Sequence, residues 1–403
     1  MAIKIRIENL TKIFGSRSRE KEALKMLESG VSKDDILEKT GCGVGVNNAT
    51  FEVEEGEIVV VMGLSGSGKS TLIRCVNRLI KPTAGKIYID DVEVTGLNDH
   101  DLRELRLTKM AMVFQNFALL PHRTVRRNVE YGLEIRGVEA TSRQESAMQA
   151  IEQVGLKGWE DYYPHSLSGG MQQRVGLARA LALDPDILLM DEAFSALDPL
   201  IRSDMQDELI SLQERMRKTI LFVSHDLDEA LKIGDRIVLM KDGVIVQMGT
   251  AEQILTNPAD DYVARFVENV DITKVLTAES VMVKVKAVAY IDSQGPKTAL
   301  RTMQKERLSQ LFVLNRRHEV VGLVNADEAS EAVKRGEDNL ATFMKKDFTS
   351  VLPDTPAAEL IPLMSDLPYP LPVINDEGRL KGVIIRGALL AALAERGKID
   401  ADS

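Results

Sequence analysis

Glu57-Ile-Val-Val-Val-Met-Gly-Leu-Ser-Gly-Ser-Gly-Lys-Ser70 joins a short apolar run to a loop of three glycines that ends in Lys-Ser. The run Glu57–Met62 reads as a buried strand, and the stretch from Gly68 reads as a helix. Gly63, Gly66 and Gly68 let successive backbone N–H groups turn inward on phosphate oxygens, and the helix that follows adds its positive dipole end. In such a loop Lys69 reaches the β- and γ-phosphates, the Ser70 hydroxyl ligates Mg²⁺, and Ser65, Ser67 and Thr71 complete the cradle.

Working outward, Ile187-Leu-Leu-Met-Asp191-Glu192 is a second apolar strand, here ending in two carboxylates, and Thr219–Ser224 is a third. Short apolar strands punctuated by helices predict an α/β fold built on a mostly parallel sheet. A carboxylate at a strand end beside a phosphate loop holds the metal, and the next one polarises an attacking water. Asp191 is assigned to the metal and Glu192 to the water. Between the first and second strands lies a mixed stretch with helices at Asn128–Gly137 and Ser142–Val154, read as an inserted helical subdomain of about residues 95–175.

The 403 residues are 44% hydrophobic and 28% charged, which excludes a disordered, collagenous or disulfide-stapled chain and predicts two or three domains. A net charge of −10 argues against a nucleic-acid partner. Cys42 and Cys75 lack metal-type spacing, in keeping with a reducing compartment. No run of about 18 uncharged apolar residues occurs, and the opening MAIKIRIENL alternates as a strand rather than forming the apolar block of a signal peptide. A membrane role is therefore expected through a partner.

Residues 16–45 insert an amphipathic segment after the first strand. Leu24, Met26, Leu27, Ile36 and Leu37 are expected to dock it on the core, and a partner-docking or regulatory helix is the other reading. Further on, FVLNRRHEVVGLV (312–324) repeats as PVINDEGRLKGVI (372–384), sixty residues apart, aligning Asn315 with Asn375 and Gly322 with Gly382. Met282 aligns with Met344 at nearly the same offset. Two such long units predict a pseudo-twofold pair that buries a shared face. Residues 276–403 carry 17 basic against 18 acidic residues, so the acidity belongs to the larger N-terminal part.

An ordered set of further motifs resembles the ATP-binding-cassette (ABC) family. Leu167-Ser-Gly-Gly-Met-Gln-Gln-Arg174 looks like its signature sequence, Gln115 its Q-loop, Ser195-Ala-Leu-Asp198 its D-loop, His225 its switch histidine, and Phe14 the aromatic that stacks on adenine. The resemblance implies a P-loop NTPase core that binds ATP and Mg²⁺. In it two copies pair head to tail, so that each ATP lies between the phosphate loop of one and Ser168, Gly169 and Gly170 of the other, with Asp198 beside them. Gln115 then joins Ser70 and Asp191 at the metal and links them to a membrane partner, while Glu192, His225 and Lys69 serve hydrolysis. His100, His122, His165 and His318 are given structural roles.

FQNFALLPHRTV, GLARALALDPDILLMDEAFSALDPLIRSDMQDEL and FVSHDLDEALKIGDRIVLMKDG resemble the ATP-binding subunits of glycine betaine/proline betaine importers, and the sixty-residue repeat resembles tandem CBS domains. The expected organisation is a nucleotide-binding domain at 1–270, a linker at 271–278, CBS domains at 279–338 and 339–397, and a short tail at 398–403. The expected partners are two transmembrane permease subunits with a substrate-binding protein or domain, at the cytoplasmic face of the membrane. The resemblance further implies gating by ionic strength, by cyclic di-AMP or by both. Arg316-Arg317, Lys334-Arg335 and Lys345-Lys346 either meet lipid headgroups or remain a solvated surface balanced by neighbouring acids. Carnitine and choline stand as alternative solutes. A ribosome- or nucleic-acid-remodelling ATPase and a regulatory binder with an inert cassette stand as alternative functions.

Overall fold

The computed structural model describes residues 2–115, 117–268 and 270–394, and the chain divides into two compact units at Val270/Asp271. The expected tail at 398–403 and the last residues of the second CBS domain lie outside the described residues.

Among the described residues the first unit holds ten strands: β1 (Ile3–Phe14), β2 (Gly43–Glu54), β3 (Ile58–Met62), β4 (Ala84–Ile89), β5 (Val92–Glu93), β6 (Met110–Phe114), β7 (Ile187–Asp191), β8 (Thr219–Val223), β9 (Arg236–Lys241) and β10 (Val244–Gly249). Five of them, in the order β9-β3-β8-β7-β6, run parallel, with β10 added antiparallel at one edge. Every residue of β3, β7 and β8 is buried, which is why these strands read as continuous apolar runs. A second, antiparallel sheet in the order β2-β1-β4-β5 faces the first across the helix Lys69–Val76, and Ile7, Val53, Val59, Leu72, Val76 and Leu221 share the core.

The stretch from residue 95 to 114 packs with the sheets, since the helix Asp99–Thr108 buries Leu102 in their core and β6 belongs to the main sheet as a strand paired with β7. The helix expected at Asn128–Gly137 is two short ones, Val125–Val129 and Tyr131–Ile135. Asn128 is fully buried and its amide nitrogen donates to the carbonyls of Leu120, Arg123 and Thr124, so it fastens the preceding loop. The insert forms the helices Arg17–Glu28 and Lys33–Thr40, which bury Ala23, Ile36 and Cys42 against Ile13. Leu24, Met26 and Leu27 pack on that cluster, but Leu37 does not: it is 52% exposed on the outer face of its helix.

In the second unit, each repeat carries a helix, a two-stranded hairpin and a closing helix. The first has Pro296–Glu306, β12 (Gln310–Leu314), β13 (Val320–Asn325) and Ala326–Arg335, with β11 (Ala289–Tyr290) parallel to β12. The second has Ala357–Asp366, β14 (Leu371–Ile374), β15 (Leu380–Ile384) and Arg386–Ala394. Phe312, Leu323 and Val383 form the shared face. Gly322 and Gly382 coincide in the repeat for a steric reason: a Cβ at either would press on the sulfur of Met344 or Met282 respectively. Residues 271–278 do not form the expected linker, because Leu276 and Ala278 are buried with Leu360, Leu371 and Ile384 in the core of the second repeat. Val283 then exchanges two backbone hydrogen bonds with Val383, so the approach to the first repeat is built into the second.

Candidate functional site

The phosphate loop turns at Gly63, Gly66 and Gly68, whose φ values of 147°, 80° and 101° favour glycine. At Gly63 and Gly68 a Cβ would also strike the carbonyl oxygens of Met240 and Gly45. The loop is held from outside as well, since Gly243 N–H donates to the Ser67 carbonyl at 3.0 Å. Lys69 is 5% exposed, and its ammonium donates to the carbonyls of Gly63 at 2.8 Å and Leu64 at 3.0 Å. Burial lowers its pKa from the ordinary lysine value, while the charges of Glu192 and Asp191 oppose that shift.

A cavity of about 460 Å³ opens over this loop, lined by Ser65, Gly66, Gly68, Lys69, Ser70 and Thr71 together with Gly45, Glu192 and His225. Parallel pairing of β7 and β8 beside β3 is what carries the strand-end residues Glu192 and His225 to the loop that follows β3. Glu192 takes the left-handed φ of 48°, and its carboxylate accepts from Gln115 Nε2 at 3.1 Å with His225 Nδ1 at 3.5 Å. Gln115 also donates to the Ser195 hydroxyl at 3.2 Å.

Asp191 is 3% exposed, and one of its oxygens, Oδ2, accepts from Arg74 Nε at 3.0 Å and Nη2 at 2.9 Å. Its other oxygen, Oδ1, is buried with no hydrogen-bond partner, as is the Ser67 hydroxyl. A buried carboxylate oxygen left unpaired is costly. Such an oxygen suits a divalent cation with oxygen ligands, and the Ser70 hydroxyl that lines the cavity is a second ligand of the same kind.

Phe14 ends β1 against Gly43, is 44% exposed, and has Lys12 Nζ 5.0 Å from its ring centroid. Ser168 caps the helix Gly169–Leu181, its hydroxyl accepting from Met171 N–H at 3.3 Å, and Asp198 precedes the helix Pro199–Met216. Ser168, Gly169 and Asp198 lie exposed and Gly170 buried, and none of the four lines the phosphate-loop cavity of its own chain. Sequence reasoning missed Arg74 and Gly45. Arg74 stands four residues after Ser70, on the same helix face, and Gly43-Val-Gly45 inside a strand signals a close backbone approach, here to the Phe14 ring.

Residues 46–195 match the family model described as ABC transporter, and residues 340–395 match that of the CBS domain. The glycine betaine/carnitine transport ATP-binding protein of Listeria monocytogenes is 54% identical, over 97% of this chain and 98% of its own. The glycine betaine/proline betaine transport system ATP-binding protein of Salmonella typhimurium is 48% identical, over 98% and 99%. A solved dimeric ATP-binding cassette, in a post-hydrolysis state bound to ADP and Pi, superposes with a TM-score of 0.52 at 32% identity, covering 61% of this chain and 98% of that one. Fold, site and likeness together define an ABC transporter ATP-binding subunit, an ATPase whose hydrolysis is coupled to transport. Among the described residues no helix is long and apolar enough to cross a membrane. The chain belongs to the family of glycine betaine/proline betaine transport ATP-binding proteins that carry a C-terminal CBS module.

Proposed function

We propose that this chain powers import of glycine betaine or a closely related quaternary amine, as two copies joined to two permease subunits and a substrate-binding protein at the cytoplasmic face of the membrane. The observation that carries the reading is the single cavity in which the phosphate loop, Glu192 and His225 converge. Glycine betaine is preferred as solute because the names of the 54% and 48% identical relatives share it.

In this reading ATP lays its adenine on Phe14 and its phosphates on the loop N–H groups. Lys69 exchanges the Gly63 and Leu64 carbonyls for the β- and γ-phosphates, a trade its weakened solvation favours. Glu192 orients and polarises the water that attacks the γ-phosphorus in line, and His225, whose Nδ1 lies 3.5 Å from Glu192 Oε2, steadies the γ-phosphate. Mg²⁺ fits Asp191 Oδ1, Ser70 and Gln115, where it would neutralise phosphate charge. Ser168 and Gly170 of a second copy close the site with the start of a helix, which excludes water and adds N–H donors. An apolar cavity of about 250 Å³ lined by Leu79, Met112, Tyr131 and Leu183 suits docking of a permease segment.

The CBS module is proposed to gate hydrolysis in response to ionic strength, cyclic di-AMP or both. The test is ATP hydrolysis by the complete complex in anionic lipid, with and without glycine betaine, at low and high salt. Stimulation by betaine only at high salt supports solute and gating together. Hydrolysis indifferent to betaine but raised by carnitine or choline replaces the solute, and betaine stimulation indifferent to salt removes ionic strength from the gating.

A further inference from the structure

Arg202 stands in the first turn of the helix Pro199–Met216, just past Ser195-Ala-Leu-Asp198. Its guanidinium joins two loops at once: Nη2 donates to the Leu197 carbonyl at 3.3 Å, and Nη1 to the Asp226 carboxylate at 3.0 Å. Asp226 directly follows His225 in the chain. The third nitrogen, Nε, is buried with no hydrogen-bond partner among the described residues, so the fork is placed by those two bonds.

Both flanks of His225 are fastened to the same helix. After it, Asp226 N–H donates to the Ser224 hydroxyl at 3.0 Å, and Asp226 Oδ1 accepts from Glu229 N–H at 3.2 Å as the cap of the helix Leu227–Ile233. Before it, the Ser224 hydroxyl donates to Glu229, whose carboxylate also accepts from Gln206 Nε2 at 3.2 Å. Gln206 follows Arg202 by four residues, so the two side chains share one face of their helix. The residue before Arg202 meets the signature motif: a Cβ at Gly170 would lie 2.5 Å from the Ile201 methyl. Further along, Glu208 lies 3.0 Å from Arg174 on the helix that Ser168 caps. One helix thus touches the signature motif, the loop that ends in Asp198 and both flanks of His225.

We propose that Arg202 is a positioning residue that couples the two ATP sites of the paired complex. In the head-to-tail pairing proposed above, on which this coupling rests, Ser168, Gly170 and Asp198 of one copy close on the ATP of the other, while His225 serves its own. A closure that shifts the Leu197 carbonyl moves the Arg202 fork, and the fork draws Asp226 and the His225 backbone with it. His225 Nδ1 lies 3.5 Å from Glu192 Oε2, so a small displacement there decides whether the imidazole reaches the γ-phosphate while Glu192 holds its water. A planar guanidinium keeps both acceptors at a fixed separation, and its charge strengthens the part-buried bond to Asp226. A lysine ammonium, a point charge on a flexible stem, cannot hold the two together.

The test measures ATP hydrolysis by the complete complex against ATP concentration, beside equilibrium binding of ADP with Mg²⁺. With two coupled sites the parent is expected to give a sigmoidal curve. Arg202→Lys, and Asp226→Asn, which keeps the helix cap, are each expected to lower kcat about tenfold, to bring the Hill coefficient down to about 1, and to leave nucleotide affinity within about twofold. The double variant should cost no more than either single change, because both remove the same bond. Lys232→Ala is the control: it cuts the 2.8 Å ion pair with Asp207, which ties the same two helices away from both loops, and should change neither quantity. A sigmoidal curve kept in both variants, a parallel loss of kcat and affinity, equal losses in Lys232→Ala, or costs that add in the double variant overturn the proposal. Cross-linking of Ser65→Cys on one copy to Ser168→Cys on the other reads the pairing itself. No cross-link removes pairing and coupling together, whereas a cross-link with a hyperbolic parent curve removes the coupling alone.

Discussion

Arg74 and Asp191 are joined through one carboxylate oxygen, with Nε at 3.0 Å and Nη2 at 2.9 Å from Oδ2. The guanidinium thereby fixes which oxygen of Asp191 is committed and leaves Oδ1 buried and unpaired among the described residues. Arg74→Ala leaves the buried Asp191 carboxylate without Arg74 as partner, so it is expected to lower the melting temperature as well as to raise the Mg²⁺ concentration for half-maximal hydrolysis about tenfold, as loss of a partner that orients a metal ligand does. A Mg²⁺ titration of ATPase rate checks this, and an unchanged midpoint removes Arg74 from the positioning role.

Glu192 holds a strained left-handed backbone while its carboxylate sits between Gln115 and His225. Glu192→Gln preserves the shape but removes the base, so hydrolysis should fall at least a hundredfold while ATP still binds. Single-turnover hydrolysis measured beside equilibrium nucleotide binding separates the two quantities. Parallel loss of both would mean that Glu192 is structural.

At Gly45 a Cβ would lie 2.7 Å from the Phe14 ring and 3.2 Å from the Thr71 methyl, so the ring must yield. Gly45→Ala should therefore weaken ATP by roughly tenfold, about 1.4 kcal/mol, within the range of base–aromatic stacking. Binding of inorganic triphosphate, which has no base, should not change, and an equal loss for both ligands would place the damage in the phosphate loop instead.

Glu229 packs beside Ser224, just before His225, and burial raises its pKa although hydrogen bonds from Ser224 and Gln206 oppose the shift. The unfolded carboxyl releases its proton near pH 4.3, so the folded state holds the proton longer and stability falls as pH rises through the raised folded value. Glu229→Gln should thus melt higher than the parent at pH 8 by a few degrees, roughly, and the difference should shrink toward pH 4. Thermal melts across this range decide, and a constant difference would show that ionisation of Glu229 carries no such cost.

What was legible in the sequence is what backbone and strand order dictate. A glycine loop after a buried strand, Asp191-Glu192 at a strand end and His225 after another strand converge because parallel strands align their C-terminal ends, so local motifs suffice. The repeat was legible for a similar reason, with Gly322 and Gly382 marking two equivalent close approaches. Arg74 was hidden because its partner lies 117 residues away. Leu37 misled because a short amphipathic helix offers more apolar residues than its buried face can take, and on this helix Ile36 takes the buried place. The segment 271–278 looked like a linker because the strands and helices that cover it come from residues some eighty or more positions later.

That last difference is open to direct test. Leu276 is 4% exposed and shares a core with Leu360, Leu371 and Ile384, and just after it Ala278 N–H bonds the Thr355 carbonyl at 2.8 Å. Truncating a leucine in such a core leaves a cavity and costs about 2–5 kcal/mol, whereas the same change in a solvated linker is nearly neutral. Leu276→Ala should therefore speed hydrogen exchange at the amides of β14 and β15, which it helps to cover, while exchange in β3 and β8 of the first unit stays as in the parent. Unchanged protection in β14 and β15 would restore the linker. Uniform loss across both units would instead mean that they unfold as one cooperative body, so that a lesion in the module reaches the phosphate loop.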